Sequence, residues 1–234
     1  MIAATQRAFR ESIVPWVGRQ WREWRGYFFF FCFVWIPLRS AVIDYNPVPS
    51  GSMNPTILEG DVVWVNKLAY GLRIPLTTVH VAQWADPQRG DIVVVLSPAD
   101  GTRLVKRVVG IPGDTLSMRN NQLILNGRPT TYAVSATDYT SMVAQNLRAQ
   151  AFFAEEDLGG VSHAVMGLAD RPSPARTFES VTIPAEGYFL MGDSRAYGVA
   201  SRDDVLGRAE GVLVSLDIND TYLPRFRRFF TPLR

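Results

Sequence analysis

The sequence predicts a mainly β protein, an antiparallel β-sheet domain with a small inserted lobe, preceded by one transmembrane helix. Short apolar or alternating runs of strand length recur after residue 60, separated by Gly-, Pro- and Asn-rich turns. A single long uncharged run precedes them. The composition, 47% hydrophobic with a formal net charge of +2 over 234 residues, is that of a globular chain. It excludes a disordered chain and a strongly basic nucleic-acid-binding protein.

The uncharged run extends from Gly26 to Leu38 and continues past Arg39 to Ile43. A helix needs about 20 residues to cross a bilayer core, and the run approaches that length when Arg39 is included. The Arg39 side chain can reach the lipid headgroups from the end of such a helix. A buried core helix is the alternative, but consecutive aromatic residues from Tyr27 onward leave it no polar face. We therefore predict a transmembrane anchor over residues 26–43.

Basic residues flank this run mainly on its N-terminal side. The positive-inside rule therefore places residues 1–25 in the cytoplasm as a basic and aromatic segment, and the chain after Asp44 on the outer face. The arginines concerned are Arg7, Arg10, Arg19, Arg22 and Arg25.

Strand-length runs follow the anchor. The turns Glu59-Gly60-Asp61 and Arg89-Gly90-Asp91 introduce two of them, and Asn126-Gly127 predicts a hairpin. The runs cover residues 61–66, 91–96, 104–109, 122–125, 180–183, 188–191 and 211–216.

These patterns divide the exported part of the chain into three regions. A β domain is predicted over 44–129 and 177–220, and a basic and aromatic C-terminal tail over 221–234. A polar inserted lobe is predicted over 130–176, with weak helical character from Met142 to Phe153. Anionic lipid or plain solvent are the alternative surroundings for the tail.

Several kinds of chemistry are poorly supported by the sequence. His80 and His163 are the two histidines, and neither has the setting of a Ser-His-Asp triad or of a metal site. Cys32 is the single cysteine, so the chain forms no internal disulfide. We expect neither a metal nor another cofactor. A serine nucleophile activated by a lysine is the catalytic chemistry that remains.

Ser52 and Lys106 are the candidates for such a pair. Ser52 follows Gly51 in a loop bracketed by prolines, where a tight turn can hold a hydroxyl clear of the backbone. Lys106 is surrounded by apolar and β-branched residues in a predicted strand, an unusual environment for lysine. If its amine points inward, burial lowers its pKa and it can accept the serine proton. If it points outward, it is an ordinary solvated residue, and the residues alone leave both alternatives open.

With these residues, the sequence resembles the bacterial type I signal peptidases, which are membrane-anchored serine proteases that use a Ser-Lys pair. The similar segments follow one another in family order through most of the chain. They are Leu38-Arg39-Ser40, Val48 to Thr56, Val65-Asn66-Lys67, Lys106 to Asp114 and Gly187 to Asp193.

The resemblance implies roles for individual residues. Ser52 would be the nucleophile and Lys106 the general base, with Ser50 and the Ser52 backbone amide forming an oxyanion hole; Lys67 would be structural. Substrate-binding positions would be Val48, Pro49 and Val105, although plain strand packing is the alternative for the two valines. Loop-bracing positions would be Arg107, Asp193, Ser194 and Arg195, with surface pairing as the alternative.

One segment departs from the family pattern. Family members carry a serine that hydrogen-bonds the catalytic lysine in a Ser-x-Asp-Ser-Arg segment after Gly-Asp. Here Gly192 to Arg202 offers no clear counterpart, and a gap of about seven residues aligns Asp193-Ser194-Arg195 with the end of that segment. Ser194 or water is then the candidate partner of the lysine.

The function implied is removal of signal peptides from exported precursor proteins that carry an Ala-x-Ala pattern before the cut. The enzyme would be a monomer in the bacterial cytoplasmic membrane, with its catalytic domain on the outer face. Its partners would be precursors and the lipid bilayer, without nucleic acid. Two alternatives stay open, a dedicated maturation peptidase of a pilin or conjugation system and a weakened paralogue that only binds leaders.

Overall fold

The computed structural model describes residues 20–74, 77, 79–169, 177–195, 197–219 and 222–233. The side chains of Leu38 and Tyr197 are outside this description. Most of the predicted basic segment over residues 1–25 and residues 170–176 of the predicted lobe also lie outside it.

Residues 20–41 are helical. The helix contains a π-helical turn, Phe31–Trp35, followed by an α-helical segment, Ile36–Ala41. Its large apolar side chains lie open on the surface, with Tyr27 72% and Phe33 71% exposed. Within the described residues, no helix reaches the combined length and hydropathy of a membrane span. The predicted anchor over 26–43 is therefore unconfirmed.

Strands make up most of the remaining chain, joined by short 3₁₀ turns such as Gly51–Met53 and Arg202–Asp204. The strands are β1 (Ile43–Pro47), β2 (Asp61–Asn66), β3 (Gly71–Arg73), β4 (His80–Gln83), β5 (Ile92–Leu96), β6 (Arg103–Gly110), β7 (Thr115–Arg119), β8 (Gln122–Leu125), β9 (Arg128–Pro129), β10 (Thr131–Val134), β11 (Ala151–Asp157), β12 (Ser162–Leu168), β13 (Phe178–Thr182), β14 (Gly187–Met191), β15 (Tyr197–Ser201), β16 (Val205–Ser215) and β17 (Thr231–Pro232).

The largest sheet is antiparallel throughout and has the order β1-β2-β16-β5-β6-β14-β15, with β17 paired to β16. Four antiparallel pairings separate β1 from β6, so these two strands run in the same direction. They also lie close in space, because Arg103 Nη1 of β6 is 3.0 Å from Asp44 Oδ2 of β1. The sheet therefore curls until the edge strand β1 faces the first half of β6.

Three smaller sheets accompany the large one. Strands β13-β7-β8-β9 form one and β10-β11-β12 form another, while β3 and β4 pair with each other. The four-stranded sheet packs on the large sheet, because Leu116, Met118 and Leu123 share a buried cluster with Phe189 and Met191 of β14.

The core occupies both faces of the large sheet. Strand β5 is buried along most of its length, and its residues alternate between two clusters. Val94 faces the cluster that contains Met53 and Val105, whereas Val93 and Val95 face the cluster that contains Tyr188. Alternation along a central strand thus builds two hydrophobic layers from one run of valines.

The structure confirms the predicted β class, and a strand lies at each strand-length run named above. The ends agree within a few residues except for the last run, whose strand β16 begins at Val205 and not at Gly211. It also confirms the hairpin at Asn126-Gly127, where φ values of 51° and 77° allow a tight turn between β8 and β9. The expected helical character of Met142 to Phe153 is wrong. Only Thr140–Met142 is a 3₁₀ turn, and β11 begins at Ala151 because Phe152 and Phe153 pair with β12.

The C-terminal tail is folded onto the large sheet. Strand β17 pairs with β16, and Arg228 Nη2 lies 2.6 Å from the buried Asp61 carboxylate at the start of β2. The aromatic side chains nevertheless remain open, with Phe226 73% and Phe230 78% exposed.

Candidate active site

The loop that carries Ser52 leaves β1 through Pro49 and enters a single 3₁₀ turn, Gly51–Met53. Ser50 has extended backbone angles before the turn, and its side chain is exposed. Met53 is fully buried in the cluster that also holds Ile57 and Val105. Burial of Met53 therefore anchors the turn to the sheet and leaves the neighbouring Ser52 half-buried at its edge.

Lys106 lies in β6 between the buried residues Val105 and Arg107. Its side chain is half-buried, and burial lowers the pKa of its amine, an effect that the Asp193 carboxylate opposes. Among the residues that the structure describes, we find no hydrogen-bond acceptor for this amine. In the family pattern a serine hydroxyl bonds to the catalytic lysine. Ser194 does not take that place here, because it forms no hydrogen bond with Lys106.

Gly192 brings Ser52 and Lys106 together. A Cβ atom built on Gly192 would lie 2.2 Å from the Ser52 carbonyl oxygen and 3.2 Å from Lys106 Nζ. The Ser52 carbonyl and the Lys106 amine therefore lie beside the same position of the chain. Only glycine fits there, because any side chain would overlap the Ser52 carbonyl. The Ser52 backbone and the Lys106 amine, which the sequence predicts as a pair, therefore both lie next to Gly192.

Ser194 holds the Ser52 loop from the other side. Its backbone N–H and its hydroxyl both donate to the Ser52 carbonyl oxygen, at 3.2 and 3.0 Å. The Arg195 N–H donates to the Gly192 carbonyl at 2.7 Å, which closes the turn between β14 and β15. This turn therefore fixes the backbone of Ser52.

Arg107 and Asp193 form a buried ion pair directly behind the turn. Arg107 Nε donates to Asp193 Oδ1 at 2.9 Å and Nη2 donates to Oδ2 at 3.0 Å, and neither side chain is more than 1% exposed. Thr56 donates to the same carboxylate, and Arg107 also donates to the Gly90 carbonyl. Burial alone would raise the pKa of the Asp193 carboxyl, but the Arg107 guanidinium outweighs it and the pKa is lowered.

Arg195 points away from this pair toward the lobe. It adopts a left-handed backbone conformation, with φ 74°, and donates to both oxygens of Glu156 in β11, at 2.9 and 3.2 Å. His163 of β12 lies between the two carboxylates, with Nε2 3.5 Å from Glu156 and 3.8 Å from Asp193. Burial lowers the pKa of His163, which therefore stays neutral near pH 7.

The remaining predicted residues lie around the same loop. Val48 and Val105 belong to the buried cluster below it, whereas Pro49 is exposed. Lys67 lies apart from Ser52 and donates to the Ser40 carbonyl at the end of the helix. Within the described part of the chain, no group of three or more His, Cys, Asp or Glu residues could hold a metal ion.

Sequence reasoning missed Glu156 and the position of His163. Neither residue lies in a recognisable motif, and each meets the site only through pairing of β10, β11 and β12. Thr56 was visible as part of the Ser52 motif, but its bond to Asp193 spans 137 residues of sequence.

Known proteins resemble this chain over most of its length. The family model described as signal peptidase, peptidase S26, matches residues 21–214. A signal peptidase I of Pseudomonas fluorescens is 31% identical over 226 residues, which cover 88% of this chain and 77% of that protein. A signal peptidase I of Pseudomonas aeruginosa is 36% identical over 177 residues, which cover 74% of this chain and 59% of that protein.

One solved structure is also similar in sequence. The crystal structure of a signal peptidase I from Enterococcus faecalis V583 is 26% identical, and the match covers 53% of this chain and 97% of that chain. The TM-score is 0.30. The family assignment therefore rests on the sequence matches.

The contacts of Gly192 predict a destabilised Gly192→Ala variant. Its methyl group would overlap the Ser52 carbonyl, so we expect the free energy of unfolding to fall by about 1–3 kcal/mol. We also expect slower acylation of Ser52 by a serine-directed fluorophosphonate. Denaturant unfolding and the labelling rate measure the two effects.

Gly198→Ala is the matched control, because a Cβ atom there meets nothing within 4 Å. We expect that variant to stay within about 0.5 kcal/mol of the parent protein. Equal behaviour of the two variants would show that Gly192 does not hold the Ser52 loop against Lys106.

Proposed function

Since the chain belongs to the signal peptidase family, peptidase S26, we propose that it is a membrane-bound serine endopeptidase that removes N-terminal signal peptides from exported precursor proteins. The family match and the two Pseudomonas relatives support peptidase activity. The observation that carries the mechanism is the position of Gly192, which lies against both the Ser52 backbone and the Lys106 amine.

Lys106 acts as the general base. Because burial lowers its pKa, a larger fraction of the amine is neutral near physiological pH than for an exposed lysine. Neutral Lys106 takes the Ser52 proton as Ser52 Oγ attacks the carbonyl carbon of the scissile bond. The proton then passes to the departing amine, the C–N bond breaks, and the signal peptide is left as an ester on Ser52. Lys106 next deprotonates a water molecule that hydrolyses this ester.

The oxyanion of each step is stabilised beside the 3₁₀ turn. We assign this role to the Ser52 N–H and to the Ser50 hydroxyl, which lies at the exposed start of the turn. Arg107, Asp193, Ser194 and Arg195 act as positioning residues, because the ion pair and the two bonds from Ser194 fix the Ser52 backbone.

The precursor binds as an extended strand between β1 and β6. Val48 uses both its N–H and its carbonyl in bonds to the turn at Gly60 and Asp61. Because backbone groups alternate in a ladder, the carbonyls of Pro47 and Pro49 face the opposite, open side. On β6, the Val108 N–H and carbonyl bond to Asp91 and Gly90, on the side of β5. By the same alternation, the backbone groups of Val105 face the opposite side of β6, toward the opening. Small side chains of an Ala-x-Ala segment fit the shallow floor formed by Val48 and Val105.

The helix over residues 20–41 anchors the enzyme in the bilayer. Support comes from its exposed aromatic side chains, which water solvates poorly and lipid solvates well. Lys67 ties the large sheet to the end of this helix by donating to Ser40 and lying 3.9 Å from Asp44. We place the N-terminal segment in the cytoplasm and the catalytic domain of a monomer on the outer face, at the inner membrane of a bacterium.

A narrower activity is a second candidate. The Lys106 amine lacks a hydrogen-bond partner among the described residues, which favours a weakened or specialised enzyme over a general one. A maturation peptidase for one pilin or conjugation system would cleave few precursors, whereas a paralogue that only binds leaders would not acylate at Ser52.

The direct test is cleavage of a precursor with an Ala-x-Ala site by the detergent-solubilised protein. We expect a cut after the second alanine and loss of at least about a thousandfold in rate for both Ser52→Ala and Lys106→Ala. N-terminal sequencing of the product locates the cut. Folded parent protein that neither cleaves nor labels at Ser52 would contradict the proposal.

The lowered pKa of Lys106 also predicts the pH dependence of the reaction. The rate is expected to rise about tenfold per pH unit while the amine is protonated and to level off below the ordinary lysine pKa of about 10.4. A Lys106→Arg variant should stay inactive across the range, because a guanidinium keeps its proton. A rate that does not rise with pH would exclude Lys106 as the base.

A further inference from the structure

A cavity of about 320 Å³ opens beside the Ser52 loop, between the main sheet and the lobe. Gly51 and Asn54 of the loop form one wall, and Ser194 forms another. The lobe contributes apolar side chains, including Met166 and Leu168. None of the steps assigned to Ser52 and Lys106 uses this space.

The cavity lies beyond Ser52 in the direction in which β1 and β6 run. On the first wall the chain proceeds from Asp44 through Val48 to Ser52, and Asn54 follows. On the second wall it proceeds from Arg103, paired with Asp44, through Val105 to Lys106. An extended peptide that runs in the same direction as β1 and β6, with its cleavage site at Ser52, would therefore continue into the cavity with the residues after the cut.

Two polar side chains near Ser52, those of Asn54 and Glu59, line the cavity. Asn54 is 3% exposed, and its Oδ1 atom has no hydrogen-bond partner in the described structure. Asn54 Nδ2 and Glu59 Oε1 would lie 2.6 and 2.8 Å from a Cβ atom on Gly51, so the amide nitrogen and the carboxylate border the same space. Asn219 donates to the other oxygen of Glu59, and no described Lys, Arg or His side chain forms an ion pair with it.

Arg195 is the one cationic residue among the described residues of the lining. It gives two hydrogen bonds to the buried Glu156 carboxylate and is therefore neutralised. Among the described lining residues, the uncompensated charge is that of Glu59. Met166 and Leu168 provide an apolar wall along which the methylene groups of a long side chain can pack.

We propose that this cavity is a specificity subsite for a basic side chain in the first two residues after the cleavage site. The side chain lies with its methylene groups on Met166 and Leu168 and its cationic end near the Glu59 carboxylate. Glu59 is thus a specificity-determining residue, remote from the atoms that react. This inference rests on the proposed function, since it assigns the precursor segment after the scissile bond.

The test compares matched precursors that carry Lys, Gln or Glu at the first and second positions after the same Ala-x-Ala site. We expect kcat/KM to be about five- to tenfold higher for Lys than for Glu, as for a partly buried ion pair. Glu59→Gln should remove most of that difference, and Glu59→Lys should reverse it.

Glu186→Gln is the control, because Glu186 is an exposed carboxylate outside the cavity lining. That variant should keep the full preference for Lys. Equal cleavage of the three precursors by the parent protein would overturn the subsite and leave the proposed function intact. A preference for Lys that persists in both Glu59 variants would also overturn it. Absence of cleavage of every precursor would overturn the proposed function and the subsite with it.

Discussion

The ion pair between Arg107 and Asp193 fixes the position of Lys106 relative to the turn beside Ser52. Arg107 follows Lys106 in β6, and Asp193 stands between Gly192 and Ser194 in the turn after β14. The pair therefore joins the strand of Lys106, the proposed base, to the turn that holds Ser52, the proposed nucleophile. Such a pair contributes little net stability, but loss of either partner leaves an uncompensated buried charge. Arrangements of the turn that separate Arg107 from Asp193 therefore cost free energy, and the turn keeps the geometry in which the two are paired.

The lobe formed by β10, β11 and β12 is hydrogen-bonded to the same turn. The Met166 N–H donates to the Asp193 carbonyl at 2.9 Å, and Arg195 reaches Glu156. His163 remains neutral between the two carboxylates, so the buried charges of Arg107, Asp193, Arg195 and Glu156 balance without it. Strands β10, β11 and β12 consequently form one wall of the cavity beside Ser52 and support the turn from behind.

The sequence was sufficient to predict the β class and most of the strand-length runs. Strands such as β2 and β5 have strong alternation or long β-branched runs, which carry their own signal. Strand β10 has no buried residue to mark it, and it depends on pairing with β11. Near Phe152 the local sequence indicated a helix, but pairing with β12 places the residue in a strand.

The details of the site were less predictable. The need for glycine at position 192 arises only after the Ser52 loop and β6 approach each other across the fold. The ion pair of Arg195 with Glu156 likewise links the turn to a strand 39 residues away. The departure from the family pattern left Ser194 or water as the candidate partner of the lysine, whereas the Ser194 hydroxyl donates to the Ser52 carbonyl.

The most direct measurement of the central claim is a double-mutant cycle of Arg107→Met and Asp193→Leu, made in the full chain in detergent. The free energy of unfolding and the rate of Ser52 acylation are followed together. We expect each single variant to lose about 3–5 kcal/mol of stability and the double variant to lose less than the sum by more than about 1 kcal/mol. Acylation should stay slow in all three. Additive losses, or rapid acylation in the double variant, would contradict the claim that this pair positions the nucleophile.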